Sequence, residues 1–329
     1  MKKTLVASAL LLLATPALAQ QQVQIKLGTL APNGSTWHEL LKEMAVRWGE
    51  ASKDGVKLRI YAGGTQGNEG EMVRKMAVGQ LQGAAVTTVG LHDIAAEPQA
   101  LTVPLMFDSA AELQKALPIL EPKLDALLEK KGYVPLTWGA IGAIKLFCTK
   151  PFKTPAEAAG AKIFAWEGDP GSVKAWKAAG FNPVVLSSTD VITSLQTGMI
   201  ECIPNVPLYV LTARLFEKAP YMIDVNWGWL VGATVVRKDA WDKIPADLRP
   251  KLLAIAKELG KKVDVEVARL NGEAVTAMEK QGLKVVKVDA AAWRATAEKS
   301  WPVVRGEVVP AAFFDEVKAL RDAQRAGKK

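Results

Sequence analysis

Hydrophobic and polar positions recur with two periods along this chain. Val23, Ile25 and Leu27 alternate with Gln24 and Lys26, and Val56, Leu58 and Ile60 alternate with Lys57 and Arg59. That period of two predicts two half-buried strands. Between them Trp37, Leu40, Leu41, Met44, Ala45 and Trp48 recur at helical spacing. Ser35, behind the turn Pro32-Asn33-Gly34, is the expected N-cap. A glycine-rich loop over residues 63–70 leads into a helix carrying Met72 and Met76, stopped by Gly79. Residues 84–89 form a short apolar run without alternation, as expected of a strand buried on both faces. Ser109-x-x-Glu112 and Thr154-Pro155-Ala156-Glu157 read as capping boxes. Further strands are predicted at 161–166, 183–186 and 283–288, and helices at 170–179 and 189–197. From Pro245 to Gln281 the apolar positions keep a helical face over about 37 residues, roughly 55 Å if unbroken. Such a helix exceeds one small domain and is expected to run across two. Helical pattern then continues to Arg325. Strands alternating with helices predict an α/β fold with mainly parallel sheets.

The first twenty residues follow a different logic. Lys2 and Lys3 precede an apolar core over residues 5–14, and Ala17-Leu18-Ala19 is a small-x-small cleavage site. This predicts a signal peptide over residues 1–19, cleaved after Ala19. The apolar stretch is short for a membrane span, and no other stretch approaches 18 apolar residues. No Cys follows the cleavage site, so a lipid anchor there is not expected. The expected location is the periplasm.

Composition narrows the chemistry. The chain has 329 residues, a formal net charge of +8, two Cys and two His. Its basic residues are spread out and do not interleave with aromatics, so nucleic acid is not an expected partner. Gly64, Gly67 and Gly70 lack the spacing of a dinucleotide loop, and no phosphate loop, nucleophile elbow, zinc or calcium motif occurs. No cofactor is expected. Cys148 and Cys202 are expected as two buried thiols; a disulfide needs a geometry that sequence does not supply. His38, on the polar side of its helix, is expected to be structural or exposed. Carboxylate pairs such as Glu69 and Glu71 read as solvated helix faces.

Tryptophan stands out, with ten Trp against four Tyr and eight Phe. Trp48, Trp241 and Trp293 sit at helical spacing and predict core. Trp166, Trp227 and Trp229 are read near strand ends and turns, beside Gly168 and Gly228. Ligands of open α/β sheets bind outside the carboxyl ends of strands, so these three are either core or pocket wall.

Several ordered blocks then carry a resemblance. Ile25-Lys26-Leu27-Gly28-Thr29-Leu30-Ala31-Pro32 with Gly34-Ser35 and Trp37-His38 comes first. Tyr61-Ala62-Gly63-Gly64 with Gly67-x-Glu69 follows, then Pro104-Leu105-Met106-Phe107. Pro151-x-Lys153-Thr154-Pro155-Ala156-Glu157 leads to Gly160-x-Lys162-Ile163. Ser194-Leu195-Gln196-Thr197-Gly198-Met199-Ile200-Glu201 ends in Pro204-Asn205, and Ala240-Trp241-Asp242-Lys243-Ile244-Pro245 closes the series. In order and spacing this resembles the DctP family, the substrate-binding proteins of tripartite ATP-independent periplasmic (TRAP) transporters, over essentially the whole mature chain.

The resemblance implies a two-lobed binding protein with crossing strands and a lobe-spanning helix. Lobe I would comprise residues 20–141 plus about 230–269, and lobe II 142–229 plus about 270–329, with the ligand cleft between them. It implies no catalysis, a monomer, and delivery of a small organic molecule to TRAP permease subunits. A ligand-binding sensor partner, or a secreted hydrolase on a similar scaffold, are the competing readings. The ligand contacts implied are Glu69, Thr88, Phe164, Glu167, Asn205 and Trp227. One departure matters. The family usually carries an Arg, two residues after Gly-x-Lys, that clamps a substrate carboxylate; here that residue is Phe164. Ile144 stands where some members place a second Arg, with Lys145 beside it, and Trp227 stands where His is frequent. An aromatic or hydrophobic ligand is therefore expected first, and a cation second.

Overall fold

The structure, a computed structural model, describes residues 22–187 and 190–327; the expected signal peptide lies outside the described residues. Among the described residues nine strands form one sheet: β1 (Val23–Thr29), β2 (Val56–Tyr61), β3 (Gly83–Thr87), β4 (Tyr133–Cys148), β5 (Lys162–Trp166), β6 (Asn182–Leu186), β7 (Cys202–Asn205), β8 (Tyr221–Arg237) and β9 (Lys284–Val286). Their order is β2-β1-β3-β8-β4-β7-β5-β6, with β9 on β8.

Five of the eight strand pairings among the described residues are parallel, and three are antiparallel. β1 pairs in parallel with β2 and β3, and β5 with β6 and β7, as the strand–helix alternation predicts. The middle is antiparallel: β8 pairs with β3 and β4, and β4 with β7. β4 and β8 are the crossing strands, 16 and 17 residues long, and they tie the two halves together. The period-two signal fails in them because Gly139, Gly142, Gly228 and Gly232 interrupt it and both faces are covered. Trp227 and Trp229, read near strand ends, lie in the interior of β8.

Local signals otherwise act as read. Ser35 caps the helix Thr36–Ala51 by accepting from the His38 N–H. His38 is structural: its Nδ1 accepts from the Gly34 N–H at 3.0 Å. Helix Glu69–Ala77 begins inside the expected glycine-rich loop because Asn68 and Glu71 form a capping box, and Gly79 ends it at φ +80°. The long helix spans Arg249–Glu279, starting later than Pro245 and carrying Pro250 in its first turn. Its 31 residues extend about 47 Å.

That helix is joined to both halves. Trp48 Nε1 donates to the Leu252 carbonyl at 3.0 Å, and Arg47 pairs with Glu258. Farther along, Asn271 accepts from the Leu208 N–H and donates to the Ile141 carbonyl, both at 3.0 Å. Met278 then joins a core with Phe147, Ile203 and Val210. Trp48, Trp241 and Trp293 are core, as expected. The C-terminal helix Ala311–Arg325, which the sequence division groups with lobe II, packs Phe313, Phe314 and Val317 into the same core as Leu120 and Leu124 of helix Ala110–Lys130.

Cys148 and Cys202 form a disulfide, contrary to the expectation of two free thiols. They stand opposite each other in the antiparallel β4–β7 register, 4.1 Å apart at Cα. That partnership across 54 residues exists only once the strands pair.

Candidate functional site

A cleft of about 880 Å³ opens between the lobes. The loop after β1, the start of helix Glu69–Ala77 and the long helix near Gly260 and Asp264 wall one side. The ends of β5 and β7 wall the other, with Phe164, Trp166, Glu167 and Asn205. A smaller cavity of about 120 Å³ adjoins it, sharing Phe164, Trp166, Asn205 and Leu230 as wall. Thr88, Gln99, Asp169, Trp176 and Trp227 lie on its inner side.

The six expected ligand contacts divide between these spaces. Phe164 and Asn205 line both. Glu167 is exposed on the main cleft. Glu69 also lines the main cleft, but it is buried and its carboxylate accepts from the Thr87 N–H, the Thr87 hydroxyl and the Gly90 N–H at 2.7–2.9 Å. It is no solvated helix face: it braces the turn after β3, and burial pushes its carboxyl above the usual range against the pull of those donors. Thr88 lines only the inner cavity, with its hydroxyl 3.3 Å from that of Thr102. Trp227 lines only the inner cavity too, and is held in a cluster with Trp176, Phe181 and Trp293. Asn205 keeps its NH₂ free of described partners while its Oδ1 accepts from the Val206 N–H.

Charge is distributed one-sidedly. Among the described residues no Lys or Arg lines either cavity, whereas Glu69, Glu71, Glu167 and Asp264 line the cleft and Asp169 the inner cavity. Lys145 does not replace the missing Arg. It points away from both cavities into an ion pair with Asp224, which also holds Lys287. Ile144, its neighbour on β4, lines the inner cavity, as strand alternation requires.

Sequence reasoning missed Asp264, Trp138, Tyr209, Gln99 and Asp169 as wall residues. Asp264 had one signal: it lies one helical turn after Gly260, whose missing Cβ lets the helix approach Thr137 of β4. Burial raises its pKa to about 7, with the nearby Glu121 charge adding to the push and a hydrogen bond from the Ala140 N–H opposing it. Among the described residues no cluster of His, Cys, Asp and Glu could hold a metal ion.

The sequence profile of the bacterial extracellular solute-binding proteins, family 7, matches residues 27–306, from the middle of β1 to the last helices. The chain belongs to this DctP family. Its members are binding proteins. A solute-binding protein of Roseobacter denitrificans is 26% identical over 87% of this chain and 88% of its own length. The 2,3-diketo-L-gulonate-binding periplasmic protein of Escherichia coli is 25% identical over 72% of this chain and 73% of its own. In fold the DctP-family protein described here is similar to a TRAP periplasmic solute-binding protein of Desulfovibrio salexigens with bound orotic acid. That likeness has a TM-score of 0.84 at 17% identity, over 93% of this chain and 99% of the other. A counterpart from Sulfurospirillum deleyianum with bound succinate gives a TM-score of 0.81 at 23% identity, over 90% and 98%. Among the described residues of this DctP-family protein no helix is long and apolar enough to cross a membrane.

Proposed function

We propose that this protein captures an organic solute without an exposed carboxylate, aromatic or apolar in its bulk, and delivers it to the membrane subunits of a TRAP transporter. The wall chemistry supports the ligand class. Phe164 occupies the place where the family resemblance expects a carboxylate-binding Arg, and no Lys or Arg lines either cavity among the described residues. Relatives crystallised with succinate or orotic acid hold acids. An acid in this cleft would meet four carboxylates and no cation. Leaving one member of a buried charge pair without its partner typically costs about 2–5 kcal/mol, or orders of magnitude in affinity. Trp37, Trp138, Trp166, Phe164 and Tyr209 instead offer aromatic surface.

The ligand contacts in this reading are Phe164, Glu167 and Asn205, with Thr88 beneath them. Lobe I takes the first half of the chain together with the first part of the long helix and the C-terminal helix Ala311–Arg325. Lobe II takes β5, β6, β7 and the helices between them. Export rests on the Lys2/Lys3, apolar-core and Ala17-Leu18-Ala19 pattern, and N-terminal sequencing of exported protein is expected to begin at Gln20.

A thermal-shift panel tests the ligand class, using C4 dicarboxylates, aromatic acids, neutral apolar compounds and amines on wild type and Phe164→Arg. A ligand at a hundredfold excess over its dissociation constant adds about 2.7 kcal/mol to the native state. Carboxylates are expected to shift only the Arg variant. Tight binding of succinate by wild type would overturn the proposal.

A further inference from the structure

Two buried polar side chains bring acceptor oxygens toward each other on the wall of the inner cavity. Asp169 is 8% exposed and Gln99 7% exposed, and both line this space. They converge on Gly171. A Cβ placed there would stand 2.7 Å from Val308 Cγ1, 2.8 Å from Gln99 Oε1 and 3.5 Å from Asp169 Oδ1, so only a glycine lets both acceptors come this close to the backbone. Asp169 Oδ1 accepts from the Ser172 N–H at 2.9 Å, the N-cap bond of helix Pro170–Ala178. The Ser172 hydroxyl and the Gly171 N–H also act on this carboxylate, which can accept about four hydrogen bonds in all. The Gln99 side-chain amide makes no hydrogen bond among the described residues, although it is more than nine-tenths buried. Its polar atoms open onto the cavity, where water or a ligand can complete them.

The surrounding walls are aromatic. Trp176 and Trp227 stack, and Trp166 meets Phe164 edge to face with 6.3 Å between centroids. The indole N–H groups of Trp166, Trp176 and Trp227 have no described partner, unlike those of Trp48, Trp138, Trp229, Trp293 and Trp301. Indole faces attract cations.

Building on the reading that neither cavity accepts a carboxylate, we propose that the inner cavity is a head-group subsite for an amine. The ammonium donates to Asp169 and Gln99 beside Gly171, and the aromatic or apolar body of the ligand lies in the main cleft against Phe164 and Trp166. A primary ammonium brings three donors, enough for both acceptors at once. It also brings a positive charge to the Asp169 carboxylate. Burial pushes the Asp169 carboxyl above its usual range, the opposing pull of its backbone donors and of His92 notwithstanding, and a bound cation relieves that cost.

The test uses three probes of one skeleton, 2-phenylethylamine, 2-phenylethanol and phenylacetate, titrated calorimetrically into wild type, Asp169→Asn and Gln99→Met. Asn is as good an N-cap as Asp, so the first variant keeps the Ser172 bond and its fold. Gln99→Met keeps the volume and removes both amide groups, and its melting temperature is checked alongside. Wild type is expected to bind the amine at least about tenfold more tightly than the alcohol, the scale of one charge-assisted hydrogen bond. That preference is expected to vanish in Asp169→Asn and to shrink in Gln99→Met. An amine bound no better than the alcohol, an unchanged preference in both folded variants, or no measurable amine binding overturns the amine subsite and leaves the carboxylate-free cleft standing. Phenylacetate as the tightest probe overturns both.

Discussion

Trp176 and Trp227 stack face to face, with 4.5 Å between ring centroids and 6° between planes. Phe181 packs edge-on against both, and Trp293 closes the far side. Trp227 is therefore a core anchor that also borders the inner cavity. Replacing it with Ala is expected to lower stability by about 3–5 kcal/mol, the usual cost of removing a large buried aromatic. Denaturant unfolding without ligand measures this. A Trp227→Ala protein as stable as wild type would mean that the ring serves the ligand alone. Because of this cost, lost ligand binding in that variant is not by itself a sign of contact, whereas Asn205→Ala leaves the stack intact.

The Cys148–Cys202 bridge closes a loop with a sequence separation of 54. Chain-entropy reasoning assigns such a crosslink about 4 kcal/mol. Reduction, or replacement of both Cys by Ser, is expected to lower the melting temperature by that measure and to leave the order of preferred ligands unchanged. A ligand profile altered by reduction would place the bridge in the site and not merely behind it.

Asp264 predicts a pH effect of definite sign. Its carboxyl titrates at about 7 in the folded protein, above the ordinary 3.8 that applies to the unfolded chain. Between those values the folded state holds a proton that the unfolded chain has released. Its contribution to stability is full below about pH 4 and is lost as pH rises through about 7. Asp264→Asn removes the titration and keeps an acceptor for the Ala140 N–H. The variant is expected to melt above wild type at about pH 8 and close to it at about pH 4.5. Glu69 and Asp169 are raised in the same direction, so wild type alone would not isolate the group, but the difference between variant and wild type does. A gap that does not grow with pH would refute the assignment.

Much of the architecture was readable before the chain folded. The alternation of Val23, Ile25 and Leu27, the Ser35 cap, the stop at Gly79 and the long helix ending near Glu279 are local, since each depends on residues within a few positions along the chain. Phe164 in place of an Arg was equally legible, because a charge that is absent from the sequence stays absent in the fold.

The crossing strands were not legible from periodicity. β4 and β8 are buried on both faces and broken by glycines, and their pairing joins residues 73 to 104 positions apart, so no local pattern encodes it. The same limit hid the disulfide, which register created, and the bracing role of Glu69, whose donors lie 18 and 21 residues away. It also hid the acceptor pair Asp169 and Gln99. Sequence alone determined which side chains this protein has to offer a ligand, and that none of the family's expected guanidinium remained at 164. Tertiary structure decided which of those side chains face a cavity, because burial and hydrogen-bond partnership are set by packing between segments far apart in the chain.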